Sequence, residues 1–375
     1  MRPLHVLHVV GARPNFVKAA PVISVLRRRA VQQALVHTGQ HYDVNMSDVF
    51  FQQLDLPSPD VNLEVGSGSH AGQTANVMTR FEEVLQDRRP DVVLVYGDVN
   101  STVAAALVCA KLLVPVGHVE AGLRSFDRTM PEEINRLLTD QIADLLFTPS
   151  SDGDANLLRE GAAPDRIHFV GNVMIDSLIR LLPEPRAEEE PYALVTLHRP
   201  SNVDDPDMLE QLMRTLAAIS KDLAVIFPLH PRTRHRLRAL SFPSVGTRFR
   251  LVEPCGYQEF LSLERAAAVV ITDSGGVQEE TTFLGVPCLT MRDSTERPVT
   301  IEIGTNILVG RDMDRLRDEV TKIRAGASKR GAVPPLWDGH ASDRIADALE
   351  KWWIARPQNL AGVGSRYSPE NTCSR

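Results

Sequence analysis

Along most of the chain, short apolar runs rich in valine, leucine and isoleucine alternate with longer stretches of helical periodicity. In the first half the runs occupy 4–10, 34–37, 92–96, 114–119, 145–148 and 167–170. Helical patterns occupy 16–29, 102–113, 132–142 and 155–160. The runs are apolar at nearly every position rather than at alternate ones, which predicts strands buried on both faces. Their alternation with helices predicts βαβ units and therefore an α/β fold with a doubly wound parallel sheet.

A second series follows, with runs at 193–197, 224–229, 249–252, 268–272, 287–291 and 305–309. Its helical patterns lie at 206–220, 258–267, 277–284, 312–324 and 341–353. Between the series, Leu181-Leu182-Pro183-Glu184-Pro185-Arg186-Ala187-Glu188-Glu189-Glu190-Pro191 has no apolar period and reads as a linker. The expected organisation is a first domain over 1–180, a linker over 181–191, a second domain over 192–354 and a tail over 355–375. The tail is polar and either stays loose or packs back on the first domain. Two domains also suit 375 residues, because single cores rarely exceed roughly 250–300.

Composition narrows the class. With 43% hydrophobic and 24% charged residues the chain is globular, and a net charge of −7 argues against a dedicated nucleic-acid binder. No stretch approaches the roughly 18–20 apolar residues of a membrane helix. Met1-Arg2-Pro3 runs straight into a strand pattern, so no secretory leader is expected. Cys109, Cys255, Cys288 and Cys373 form neither a CxxC pair nor a His/Cys cluster. Three buried small hydrophobes and one tail thiol are expected, with no metal, in a reducing cytoplasm.

Candidate chemistry gathers at strand ends, where an open α/β sheet binds its ligand. Asp273-Ser274-Gly275-Gly276-Val277-Gln278-Glu279-Glu280 follows a strand and opens a helix. Its glycines allow close approach and its free N–H groups suit a phosphate, although a plain Gly-rich turn accounts for the fragment equally well. Gly66-Ser67-Gly68-Ser69-His70-Ala71-Gly72 has one residue too many for a dinucleotide fingerprint, and no GxxxxGK[ST] motif occurs. In the first half, strands end in Gly11-Ala12-Arg13-Pro14 with Lys18 a turn later, in Gly97-Asp98-Val99-Asn100-Ser101, and in His118-Val119-Glu120-Ala121-Gly122-Leu123-Arg124. Asp98 or Ser101 as a helix cap and Pro131-Glu132-Glu133 as an acidic first turn are the ordinary alternatives. In the second half, His198-Arg199 and His230-Pro231-Arg232 end strands and suit anion binding or proton transfer. Phe260 either stacks a base or fills core.

Taken in order, these motifs resemble the non-hydrolysing UDP-N-acetylglucosamine 2-epimerase family. The resemblance runs from residue 6 to about 310 and includes Thr38-Gly39-Gln40-His41-Tyr42, Pro131-Glu132-Glu133-Ile134-Asn135-Arg136, Gly171-Asn172 and Met291-Arg292-Asp293-Ser294-Thr295-Glu296-Arg297-Pro298. It implies a GT-B-like fold: two Rossmann-like domains and an interdomain cleft that takes a nucleotide sugar. The implied reaction is reversible inversion at sugar C2 to UDP-N-acetylmannosamine, without cofactor, in a cytoplasmic homodimer serving cell-surface polysaccharide synthesis. The partner is the UDP-sugar, with no nucleic acid or membrane. Position by position, Asp98, Glu120 and Glu132 match sugar-side carboxylates, and His198 a histidine near the diphosphate. Arg13, Lys18 and Arg136 match basic positions, Ser274, Gly275 and Gly276 the phosphate turn, and Glu280 the ribose acceptor. Phe260 with the Cys255 backbone matches the uracil pocket; Arg297 and His230 complete the shell.

Where many bacterial members continue with Arg-Glu-Asn, this chain reads Pro200-Ser201-Asn202, and Tyr42-Asp43 follows Gln40-His41. Both departures argue against the second, activating substrate site of bacterial members. A UDP-diacetamido-uronic acid is an alternative substrate. A hydrolysing epimerase, a glycosyltransferase of the same fold and a non-catalytic nucleotide-sugar sensor are the competing functions.

Overall fold

A computed structural model describes residues 2–40, 53–184, 190–229, 231–237 and 246–356. The chain divides into two units. Residues up to Ser177 together with those from Pro335 form the first, and Leu178–Pro334 the second. Among the described residues no helix is long and apolar enough to cross a membrane.

The first unit is built on a parallel sheet of β1 (His5–Val10), β2 (Gln32–His37), β3 (Val61–Asn62), β4 (Val92–Tyr96), β5 (Val116–Val119), β6 (Leu145–Thr148) and β7 (Ile167–Phe169). Their spatial order is β3-β2-β1-β4-β5-β6-β7. The second unit repeats the scheme with β8 (Tyr192–Thr196), β9 (Ala224–Pro228), β10 (Phe249–Val252), β11 (Val269–Thr272), β12 (Cys288–Thr290) and β13 (Asn306–Leu308), ordered β10-β9-β8-β11-β12-β13. Every strand pair is parallel. In each sheet the winding direction reverses once, between β1 and β4 and between β8 and β11. The ends of those strands form the crevice where such sheets hold ligands.

The central strands are buried on both faces, as their composition requires: all five residues of β4 are enclosed, while the edge strands β3, β7, β10 and β13 are only partly buried. Helices cover them with apolar stripes; Val77, Phe81 and Leu85 of the helix His70–Arg88 recur every fourth residue and join the core with β-strand valines. Each such side chain contributes roughly 1.5–3 kcal/mol on burial. The glycine-rich run before that helix is its start signal: Ser69 Oγ accepts a hydrogen bond from Gly72 N at 3.1 Å.

Three expectations need correction. The two-residue β3 was not foreseen, being too short to show a period. The helix Ala341–Ala355 belongs to the first unit, whereas the expected second domain ran to 354. Asp176 accepts hydrogen bonds from Ala341 N (3.1 Å), Ser342 N (2.7 Å) and Ser342 Oγ (2.6 Å), and Arg29 pairs with Asp347 at 2.6 Å. Contacts between residues so distant in sequence leave no local pattern. Finally, Cys109 and Cys288 are buried but Cys255 only half-buried; burial pushes the Cys288 thiol up to about 12. Within the expected linker residues 185–189, and within the expected tail residues 357–375, lie outside the described residues.

Candidate active site

In the first unit, the turn after β1 is clamped by Asn15. Its Oδ1 accepts from Gly11 N and Ala12 N at 3.1 Å each, and its Nδ2 donates to Tyr96 O at 2.8 Å, tying the ends of β1 and β4 together. One turn further along the helix Arg13–Arg28, Lys18 meets Glu120: Nζ donates to Oε1 at 2.6 Å, and the side chains are only 5% and 3% exposed. Glu120 sits past the end of β5 with φ +76°, a left-handed backbone that non-glycine residues seldom adopt and that costs of order 1–3 kcal/mol. The backbone N–H groups of Glu120 and Ala121 both donate to Phe147 O, so β6 holds the strained turn in place. Gly97, φ +60°, is the turn after β4, and a Cβ there would lie 2.7 Å from Lys18 Nζ. The left-handed backbone is what favours glycine there.

Asp98 follows and is ion-paired with Arg136 of the helix Pro131–Ile142. Neither Asp98 nor Ser101 caps the next helix, as the sequence allowed. Val99 holds the cap position without a side-chain bond, and Asp98 turns toward Arg136 instead. The two glutamates at the start of Pro131–Ile142 part company. Glu133 is buried and accepts from Ser125 N (2.9 Å), Phe126 N (2.9 Å), and Arg136 Nη2 (2.8 Å). Burial alone would raise its pKa, but the Ser125 N–H and the Arg136 guanidinium outweigh it, and the carboxyl lies below its ordinary value. Glu132, the residue matched to the catalytic set, is exposed.

Sequence reasoning missed Asp140, two turns along the same helix face as Glu133. His118 Nδ1 approaches Asp140 Oδ1 at 2.6 Å, Arg124 Nη1 approaches Oδ2 at 2.7 Å, and Gly122 N donates to Oδ2 at 3.1 Å. Burial pushes the Asp140 carboxyl up, yet His118 and Arg124 together bring it below the aspartate range. His118 Nε2 in turn contacts Gly97 O at 2.8 Å. The whole motif 118–124 is thereby braced behind Glu120. The signal available in the sequence was a run of charged residues, 133, 136 and 140, at one-face helical spacing.

In the second unit the hub is Asp273, quoted as part of a motif but not chosen as a site residue. It is wholly buried at the end of β11 and accepts from His198 N (3.1 Å), Arg199 N (2.9 Å) and Asn202 Nδ2 (2.9 Å) at the end of β8. Its Oδ1 also meets His198 Nδ1 at 3.0 Å, while the His198 side chain stays 55% exposed. Burial raises the Asp273 carboxyl and the hydrogen bonds with His198 overcome it, leaving it low. Asp273 therefore orients the imidazole and fixes which face it presents.

Ser274 holds the cap position of the helix Gly275–Leu284 without a side-chain bond, and the helix opens with Gly275 and Gly276. A Cβ on Gly275 would lie 2.5 Å from Arg297 Nη1. Arg297 is held by Glu279 (2.9 Å) and Glu296. Glu280, one turn into the helix, is 3% exposed and accepts from Tyr257 Oη at 2.7 Å. Cys255 and Phe260 are half-buried against an apolar cluster. His230 and the side chain of Arg13 lie outside the described residues. Among the described residues, no group of His, Cys, Asp and Glu could hold a metal ion.

Comparison with known proteins sharpens this picture. The family model described as UDP-N-acetylglucosamine 2-epimerase matches residues 24–350. The UDP-N-acetylglucosamine 2-epimerase of Methanocaldococcus jannaschii is 43% identical over 358 residues, covering 91% of this chain and 97% of that protein. The UDP-2,3-diacetamido-2,3-dideoxy-D-glucuronate 2-epimerase of Pseudomonas aeruginosa is 41% identical, covering 93% of this chain and 100% of that protein. A crystal structure of the M. jannaschii enzyme with UDP-GlcNAc and UDP superposes with a TM-score of 0.84 at 41% identity, covering 93% and 100% of the two chains.

Proposed function

This chain belongs to the UDP-N-acetylglucosamine 2-epimerase family, and we propose that it interconverts UDP-N-acetylglucosamine and UDP-N-acetylmannosamine. The observation that carries the reading is Glu120: a carboxylate on a strained strand-end turn, enclosed with a lysine, facing Gly97, which precedes Asp98. A purely structural ion pair has no need of a left-handed backbone, and strain of this kind concentrates at reacting sites.

The sugar C2 hydrogen is not adjacent to a carbonyl, so a carboxylate cannot remove it directly. The proposed route lets UDP leave C1 first. The developing cation acidifies C2–H, a carboxylate takes that proton, and a glycal results. Protonation of C2 from the opposite face and return of UDP to C1 complete the inversion. Asp98, Glu120 and Glu132 are the acid–base candidates, with Lys18 and Arg136 setting the charge around them. In the second unit, the Ser274–Gly276 turn and His198 are assigned to the diphosphate, Glu280 to the ribose and Phe260 to the uracil. Arg13, His230 and Arg297 are assigned to the shell around the diphosphate. The near-equal identity to the diacetamido-uronate enzyme supports a second substrate reading.

Incubation with UDP-N-acetylglucosamine in heavy water, read by NMR, tests this. The expected product is UDP-N-acetylmannosamine deuterated at C2. Free N-acetylmannosamine with UDP would make the enzyme hydrolytic, and conversion of the diacetamido-uronate alone would shift the substrate. Glu120→Gln is expected to lower turnover by roughly a hundredfold or more with UDP affinity retained; a fully active variant removes Glu120 from the mechanism.

A further inference from the structure

Behind Glu280 lies an acid that neither the sequence motifs nor the proposed chemistry uses. Glu264 is 0% exposed on the helix Tyr257–Ala266, two turns along the same face as Tyr257. Among the described residues, no backbone or side-chain donor reaches either of its oxygens. The acid beside it is Glu280, itself buried. Two carboxyls can share a hydrogen bond only if one of them carries a proton. A pair of enclosed, unneutralised carboxylates is strongly unfavourable, so one proton stays between them.

We propose that Glu264 is a positioning residue for nucleotide recognition: as a neutral acid it donates a hydrogen bond to Glu280 and, with the Tyr257 hydroxyl, holds Glu280 as an ionised acceptor aimed at the ribose hydroxyls. The inference rests on the ribose reading of Glu280. The Tyr257 hydroxyl already donates to that carboxylate at 2.7 Å; the proton on Glu264 supplies the second donor, and together they fix its rotamer before nucleotide arrives. An acceptor locked beforehand spares the nucleotide the entropy of ordering it.

The groups around the pair leave Glu264 as the acid that responds to alkali. Burial raises both carboxyls; Glu280 raises Glu264 further, whereas the hydrogen bond from Tyr257 works to pull Glu280 back down. Burial holds the Tyr257 hydroxyl above its ordinary value and the Cys288 thiol at about 12. Glu279, the remaining acid facing this site, is paired with Arg297. Rising pH therefore removes the Glu264 proton, sets two negative charges side by side and pushes Glu280 out of position.

The test is UDP affinity by calorimetry on the full chain between about pH 7 and about pH 9, above the last phosphate ionisation near 6. Wild type is expected to lose affinity as pH rises. Glu264→Leu is expected to bind roughly tenfold more weakly at neutral pH, the usual effect of losing a hydrogen bond to a charge. Glu264→Gln, which keeps an N–H donor and cannot ionise, is expected to bind within about twofold of wild type near pH 7 and to stay flat in pH. Should the leucine variant fail to fold, the pH profile of the glutamine variant decides alone. Glu264→Leu binding like wild type, or Glu264→Gln following the wild-type pH curve, overturns the inference. Glu280→Ala separates the two claims: if it leaves UDP affinity unchanged, the ribose reading fails as well. If Glu280→Ala weakens binding while the Glu264 variants do not, only the positioning role falls.

Discussion

Asp140 and Glu264 are both enclosed acids on helices beside a parallel sheet, one in each unit, and their surroundings drive them to opposite states. Around Asp140 stand His118, Arg124 and the Gly122 N–H, enough to hold the carboxyl below its ordinary value despite burial. Glu264 is wholly buried beside a second acid, and its carboxyl is driven upward. Burial has the same sign in both places. The difference comes from what the neighbouring strands and helices deliver. Where cations arrive, a buried acid becomes an anchor for the backbone turn it faces; where they do not, it becomes a hydrogen-bond donor.

The strongest way to break this contrast is to remove Asp140. Asp140→Ala leaves the enclosed His118 and Gly122 N–H without their hydrogen-bond partner and Arg124 with Glu160 as its remaining carboxylate, and a loss of about 3–5 kcal/mol in urea denaturation is expected. A loss below about 1 kcal/mol would mean that solvent screens the cluster and that the contrast is false. Asp140→Asn keeps the shape and part of the bonding, so a smaller loss of about 1–3 kcal/mol is expected in the same assay.

Smaller still is the expected effect of Glu264→Leu on stability. An apolar side chain of similar size replaces an acid whose burial is uncompensated, and the change should fall within about 1 kcal/mol of wild type near pH 7. Stability and nucleotide affinity would then part company at one residue. The pH dependence sharpens the contrast further. Glu264 has a raised native pKa, so its contribution is fully present below the ordinary glutamate value of about 4.3 and is lost as pH rises through the native value. Wild-type stability relative to Glu264→Leu should therefore decline as pH rises above about 4.3. Asp140 runs the other way: its contribution is present above about 3.9 and is lost as pH falls through its lower native value. The advantage of wild type over Asp140→Asn should then shrink only in strong acid. Parallel pH trends for the two variants would dissolve the comparison.

Much of the fold was legible along the chain. The apolar runs match twelve of the thirteen strands among the described residues to within two residues at each end, because a strand buried on both faces must be apolar throughout. Glycine-rich strand ends marked the turns, and Gly97 sits where a side chain would strike Lys18. The placement of the candidate residues was legible too: Lys18, Asp98, Glu120, Arg136, His198 and Glu280 all lie at or just past strand ends or in the first two turns of helices.

What the sequence by itself determined, then, is the βαβ rhythm, the two-sheet organisation and the supply of charged groups at strand ends, since these depend on local periodicity and backbone freedom. It could not determine which of two adjacent glutamates turns inward. Glu133 is bonded to Arg136 while Glu132 faces water, a choice made by the helix's rotation against its sheet. Nor could it assign the helix Ala341–Ala355 to the first unit, or decide that Asp140 is ionised and Glu264 protonated. Those outcomes depend on which partners meet a side chain across tens or hundreds of residues. Burial amplifies every such meeting, and only the folded packing fixes them.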